Sequence, residues 1–356
     1  MAASTAPSAL VRRFGVVAGA VSVVSVVVTV FPADEAGATP RWRVAENVKL
    51  RIGGGLANFD GLTAVSPKLA WSVLGHGMGA GGAALLRWDG AKWSRQRLPD
   101  GLARSSVSDL GASSGTNLWL SGQNEEMTQS YLARWDGRGW KSKLIPAGDS
   151  VERLLVRGAK DVWYFTLKGK AGHYDGRKWR TYDMGFTAFS AVGTGRKVWA
   201  VGGDTDTGTP HASVWDGRKW KATRIPGEGM MYGVTSSAGK VWTAGMVAGK
   251  STLLRWNGKA WKKAKAPRIA VKDLVSDGSG GLWASSWPAY PAVQSGIYHF
   301  TKGRWARASV KDMPGSKHPL AVNRMVRVPG GGTSLWAVAG HDNGKTDTDA
   351  LILKHG

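Results

Sequence analysis

An aromatic residue, an Asp-Gly pair and a tryptophan five places after the first aromatic recur along this chain, so it must repeat one structural unit. The copies are Trp88 with Trp93, Trp135 with Trp140, Tyr174 with Trp179, Trp215 with Trp220 and Trp256 with Trp261. In the last of these the turn is Asn257-Gly258; a sixth copy, Phe300 with Trp305, weakens it to Lys302-Gly303. Asp-Gly and Asn-Gly readily take the positive φ of tight hairpin turns, so each copy predicts two outer strands closed by a hairpin. A second series lies in apolar, β-like runs: Trp71, Trp119, Trp163, Trp199, Trp242, Trp283 and Trp336, at intervals of 36 to 53 residues. Intervals of this size match the blades of a propeller.

One complete unit falls between residues 106 and 146. SVSDLGAS reads as an inner strand, NLWLSG as the second, SYLARW as the third and GWKSKLIP as the outer strand, with Trp135 and Trp140 packing across the hairpin. Seven inner aromatics but six hairpins leave one blade incomplete. The chain ends on LILKHG, which matches LLRWDG and stops at the turn, while Arg41-Trp42-Arg43-Val44 resembles the start of an outer strand. Residues 41–49 are therefore predicted to pair beside residues 350–355 and close a seven-bladed, all-β ring of four-stranded blades. Closure hides the terminal sheet edges.

The order aromatic-Asp, turn, Trp, Leu-Pro, inner strand and then VWAVGG at Val198 to Gly203 resembles Kelch-type propellers. It is also similar to the Trp-Asp-Gly-x-x-Trp propellers of secreted actinobacterial proteins. The resemblance covers residues 41–356 and departs from Kelch in that the double glycine occurs only in blade four. WD40 is a weaker match, since its Gly-His partner is missing. The resemblance implies a propeller fold and leaves function open.

The N-terminus reads as an export signal. Arg12 and Arg13 precede an uncharged run from Phe14 to Phe31, and Ala36-Gly37-Ala38 suits cleavage after Ala38, leaving residues 39–356 as the propeller. Paired arginines mark twin-arginine export, but Phe14 comes one place early for that motif, so the route stays open. Retention of the run as a membrane anchor is the alternative. Cleavage would remove two positive and two negative charges, so the mature chain keeps the formal +23. The absence of cysteine excludes disulfides, thiolate metal sites, a thiol nucleophile and a lipoprotein anchor.

In such a blade, the loop between strands two and three and the loop between blades share one face, and the hairpins occupy the other. The hairpin face is uniform and basic, with Arg138, Lys141, Arg177, Lys178, Arg218, Lys219, Lys262 and Lys263 as candidate contacts for an anionic polymer. A solvated surface that discourages edge pairing is the plainer reading of the same residues. Loops on the other face vary, as binding loops on a rigid scaffold do. They carry His76, His211, Tyr232, Trp287, Tyr290, His318, His341 and Asp342 as candidate ligand contacts. Trp287 is the one tryptophan outside the repeat, and it suits stacking on a sugar ring. Asp204-Thr-Asp206 and Asp347-Thr-Asp349 lack the glycine and distal glutamate of an EF-hand and read as turn chemistry. His173 and His299 hold the repeat position of Arg87, Arg134 and Arg255, and His355 falls where an outer tryptophan belongs, so all three read as structural.

No His-Glu-x-x-His motif or Asp-box pattern is present, and copper chemistry based on a Cys–Tyr cross-link is excluded. The expectation is a secreted, monomeric, non-catalytic binding or scaffold propeller without cofactor or metal. Its ligand is expected to be a glycan, cell-wall polymer or protein. The alternative is a polysaccharide hydrolase or lyase with carboxylates from several loops meeting at the central channel.

Overall fold

A computed structural model describes residues 41–48, 57–76, 82–126, 128–146, 148–287, 295–313, 320–342 and 348–356. The expected signal segment, Tyr290 and His318 lie outside them. The repeat forms seven sheets, and six of these are antiparallel and four-stranded with their strands in sequence order. Blade 2 is built of Ser106–Ser114, Asn117–Gln123, Ser130–Trp135 and Trp140–Leu144, close to the four strands read from the sequence.

Local chemistry makes each hairpin. Asp136 Oδ1 accepts the N–H groups of Arg138 and Gly139 at 3.0 and 3.1 Å, and Gly137 takes φ +93°. Asp89, Asp175, Asp216 and Asn257 cap their turns in the same way. Blade 6 has no such carboxylate. Lys302 and Gly303 instead both take positive φ, +49° and +74°, the mark of a type I′ turn.

The tryptophans then lock blade to blade. At six of the seven junctions the inner tryptophan of one blade packs on the hairpin pair of the next, among them Trp119 on Trp179 at 5.6 Å, Trp163 on Trp215 at 5.2 Å and Trp199 on Trp256 at 5.3 Å. Trp135 and Trp140 meet across their own hairpin at 5.9 Å, as expected. In five of the sheets, the residue opposite the inner tryptophan covers its face. Arg134, Arg255 and Lys354 lie over Trp119, Trp242 and Trp336, while His173 and His299 stack on Trp163 and Trp283 at 4.1 and 3.9 Å. Asp161 and Asp277 then fix the two imidazoles at 3.0 and 2.9 Å.

Blade 7 combines both ends of the chain. Trp42–Val48 runs antiparallel to Thr348–His355, from Trp42 opposite His355 to Val48 opposite Ala350, with a bulge at Ala45. Trp42 and His355 supply the hairpin pair for Trp283, at 5.5 and 5.0 Å. Trp336 in turn packs on Trp88 and Trp93 of blade 1 at 5.1 and 5.3 Å. Val310–Lys311, which had no sequence signal, runs parallel along Trp42 and Arg43 and covers the outer edge of the closing strand. Two residues are too few to show a strand periodicity.

Candidate functional site at the channel mouth

Each innermost strand carries a β-bulge within its first four residues, at the end nearer the variable face. The register shifts at Asp60 in Ala57–Ser66, Ser108 in Ser106–Ser114, Glu152 in Val151–Gly158, Phe189 in Thr187–Thr194, Tyr232 in Gly229–Ser237, Lys272 in Val271–Ser276 and Asn323 in Leu320–Arg327. A bulge inserts one unpaired residue and re-aims its side chain. Repeated around the axis, it makes a ring of non-repeat residues at the channel mouth.

Three aromatics form an arc on this ring. Phe189 lies 5.7 Å from Tyr232 of the next blade, and Tyr232 meets the edge of Trp287 at 5.7 Å. Trp287 leaves the strand Leu282–Ser286, donates its backbone N–H to Ala270 O at 2.8 Å and remains 39% exposed. Lys272 Nζ lies 4.7 Å from the centre of the Trp287 ring and donates to Asn323 Oδ1 at 2.7 Å. Glu152 stands on the other flank of Phe189. Burial lifts its carboxyl above the ordinary value against the pull of Arg153, and the Asp109 charge adds to the lift. One mouth thus offers one exposed and two partly exposed aromatics, an ammonium, an amide and a half-buried acid.

A polar girdle beneath the mouth holds the inner strands in place. Asp109 Oδ2 accepts the Leu154 N–H of the next blade at 2.8 Å, and Asp273 Oδ2 accepts that of Met325 at 2.8 Å. Ser190 accepts from Val234, Thr63 from Ala112 and Thr235 from Ser276. Arg153 donates to Phe189 O and Asn323 to Phe59 O, so every blade junction is crossed. Asp109 also receives Arg153 at 3.5 Å and Arg324 at 3.7 Å. Arg324 reaches it from blade 7, and Gly61 lets the inner strands of blades 1 and 2 approach closely, since a Cβ there would meet Leu110 at 2.6 Å. Burial raises the carboxyls of Asp109 and Asp273 above their ordinary values, opposed in each by charge and backbone hydrogen bonds. The equivalent placement of Asp109 and Asp273, each before a leucine, was the readable signal for this girdle, and the sequence reading passed over it.

Several sequence-based placements need correction. His211 is not in a loop: it lies within the strand Thr209–Trp215 and stacks on Phe186 at 5.1 Å. Tyr232 belongs to an inner strand, and His76, His341 and Asp342 end the strands Leu69–His76 and Leu335–Asp342. The strands run further toward the variable face than their apolar cores indicate, because backbone pairing continues past the last buried residue. Asp204 caps its own turn, its Oδ1 accepting the N–H groups of Asp206 and Thr207. Among the described residues, no group of three His, Cys, Asp or Glu is placed to hold a metal ion.

On the hairpin face Arg138, Lys141, Arg177, Lys178, Arg218, Lys219, Lys262 and Lys263 are all exposed. Part of this charge is answered inside the hairpins, where Lys141, Arg180 and Lys221 pair with Asp136, Asp175 and Asp216 at 2.9, 2.6 and 2.7 Å.

No protein-family model and no curated protein matches the chain. Among solved structures it is similar to YCF48 bound to a D1 peptide, with TM-score 0.60 and 14% identity over 92% of this chain and 99% of that one. YCF48 from Cyanidioschyzon merolae gives TM-score 0.58 and 12% identity over 88% and 98%. The WD40 β-propeller domain of Doa1 gives 0.60 and 12% over 89% and 97%. The seven-sheet ring and these likenesses make the chain a seven-bladed β-propeller.

Proposed function

We propose that this chain is a secreted, non-catalytic binding propeller that holds a glycan at the channel mouth. The observation that carries the reading is the arc of Phe189, Tyr232 and Trp287, with Lys272 and Asn323 beside it. Aromatic faces stack on the C–H faces of sugar rings, and the flanking ammonium, amide and carboxyl suit hydroxyl groups. The ring of blades beneath is rigidly joined, so such a site is pre-organised and loses little freedom on binding.

Hydrolysis of a polysaccharide needs two accessible carboxyl groups on either side of the scissile bond. Among the described side chains at the mouth, Glu152 is the accessible acid, and its neighbour Asp109 is 1% exposed and committed to two backbone N–H groups and two arginines. This arrangement favours holding a ligand over cleaving it. Secretion is part of the proposal and rests on residues 1–38; so does kinship with the secreted Trp-Asp-Gly-x-x-Trp propellers, which rests on the repeat.

The test is a glycan and cell-wall polymer array probed with residues 39–356 and with the Trp287→Ala and Tyr232→Ala variants. Retention on at least one glycan is expected, with a loss of tenfold or more in each variant. Undiminished binding by Trp287→Ala, shortening of the retained glycan, or binding to a protein with no glycan retained would each refute the reading.

A further inference from the structure

The junction between blades 1 and 2 departs from the packing found at the other six. Elsewhere the inner tryptophan lies 5.1 to 6.1 Å from an aromatic of the next blade's hairpin position. Trp71 has no such ring contact with Trp135 or Trp140 among the described residues. A cavity of about 310 Å³ stands there instead, lined by these three tryptophans with Arg87, Gln96, Arg97 and Thr116. Gly115, Thr116 and Gly137 belong to the turns of blade 2, so the cavity lies at the hairpin face, on the opposite side of the ring from the channel mouth.

The cations depart from the pattern as well. Arg87 stands opposite Trp71 across its sheet, the position from which Arg134, Arg255 and Lys354 cover their tryptophans. Arg87 makes no such contact and lines the cavity beside Arg97, which the chain presents as it leaves the strand Trp93–Gln96. Among the described residues, neither guanidinium has a carboxylate partner, and the indole N–H groups of Trp71, Trp135 and Trp140 have no hydrogen-bond acceptor. Two uncommitted guanidiniums favour a planar anion, which Arg grips with paired hydrogen bonds. Indole faces alternating with N–H, amide and hydroxyl groups suit a ring that carries hydroxyls on its edge and C–H bonds on its face. The volume sits at the lower end of the about 300–1,000 Å³ typical of small-molecule sites, enough for one sugar ring and not for a chain.

We propose that this cavity binds one carboxylated sugar residue, a uronic acid unit, with its carboxylate on Arg87 and Arg97 and its ring among Trp71, Trp135 and Trp140. The site is separate from the channel mouth and does not depend on the reading given to it.

Ligand-detected NMR titration of the full chain with methyl β-glucuronide, methyl β-glucoside and benzoate tests the proposal. Saturable binding of the glucuronide is expected, at least tenfold tighter than the glucoside and tighter than benzoate. Arg87→Gln/Arg97→Gln should weaken it tenfold or more. Arg97→Gln alone, at an exposed position, should weaken it about threefold, a factor worth roughly 0.65 kcal/mol. Lys240→Gln/Lys250→Gln, which removes the same charge from blade 5, should leave it unchanged. No saturable glucuronide binding, benzoate binding as tight, undiminished binding by the arginine variants, or an equal loss in the blade 5 variant would each overturn the assignment.

Discussion

At the scale of single residues, the repeat assigns roles more reliably than residue type does. His173, His299 and His355 would attract attention as catalytic candidates in an unaligned chain, yet each lies against the inner tryptophan of a blade. That assignment was legible because the repeat placed them where arginine or tryptophan stands in other blades. Glu46 was not legible, since a charged residue in a strand normally faces water. It is 3% exposed in the closing strand, and burial pushes its carboxyl up to about 7. Between about pH 4.5 and 7 the folded chain therefore keeps a proton that the unfolded chain has released, so stability falls as pH rises through this window and is level above it. Glu46→Gln should reduce the slope, leaving the part that Glu152, Asp109 and Asp273 contribute, and raise stability at pH 8 by up to about 3 kcal/mol. Thermal midpoints at pH 5 and pH 8 check this, and an unchanged slope in the variant would refute it. The turn aspartates act in a different window. Asp136 and Asp216 are held below the ordinary carboxylate value chiefly by Lys141 and Lys221, and Asp175 chiefly by the Lys178 N–H. Their contribution is present above pH 4 and is lost as pH falls further.

At the scale of elements, hairpins were legible and bulges were not. Asp-Gly between aromatics specifies a turn by local chemistry, so Ser130–Trp135 was read to its last residue. A bulge is one extra residue required by the geometry of the channel, and no local pattern announces it; this is why Phe189 went unnoticed and Tyr232 was placed in a loop. Asp109→Ala would leave the Leu154 N–H without its acceptor and Arg153 and Arg324 without their shared carboxylate. A loss of about 3–5 kcal/mol in urea unfolding is expected, as for other broken buried pairs, and a loss below about 1 kcal/mol would contradict the girdle's role. The closing strand gives a second element-scale prediction. Removing residues 39–48 exposes the edge of Thr348–His355 and uncovers Trp283, so the chain should melt at lower temperature and self-associate in sedimentation experiments. A truncated chain that stayed monomeric with an unaltered midpoint would show that this strand does not close the ring.

At the scale of the whole molecule, the fold separates two surfaces of different chemistry. The hairpin face carries exposed lysines and arginines, while the mouth carries aromatics on non-repeat bulge positions. The net charge of +23 predicts attachment to anionic polymers at low salt that is lost by about 1 M, and retention that persisted there would rule out charge as its cause. The architecture could be read from the sequence because the repeat states the same pattern again and again. The site was legible only in part: Tyr232 and Trp287 stood out as residues that do not repeat, while Phe189 joins them only through the packing of neighbouring blades. Hydrogen exchange on the propeller with and without a glycan retained on the array tests the central claim most directly. Protection should concentrate in residues 187–194, 229–237 and 271–287 at the mouth of blades 4 to 6. Protection confined to the hairpins at 135–140, 174–179, 215–220 and 256–261 would contradict it.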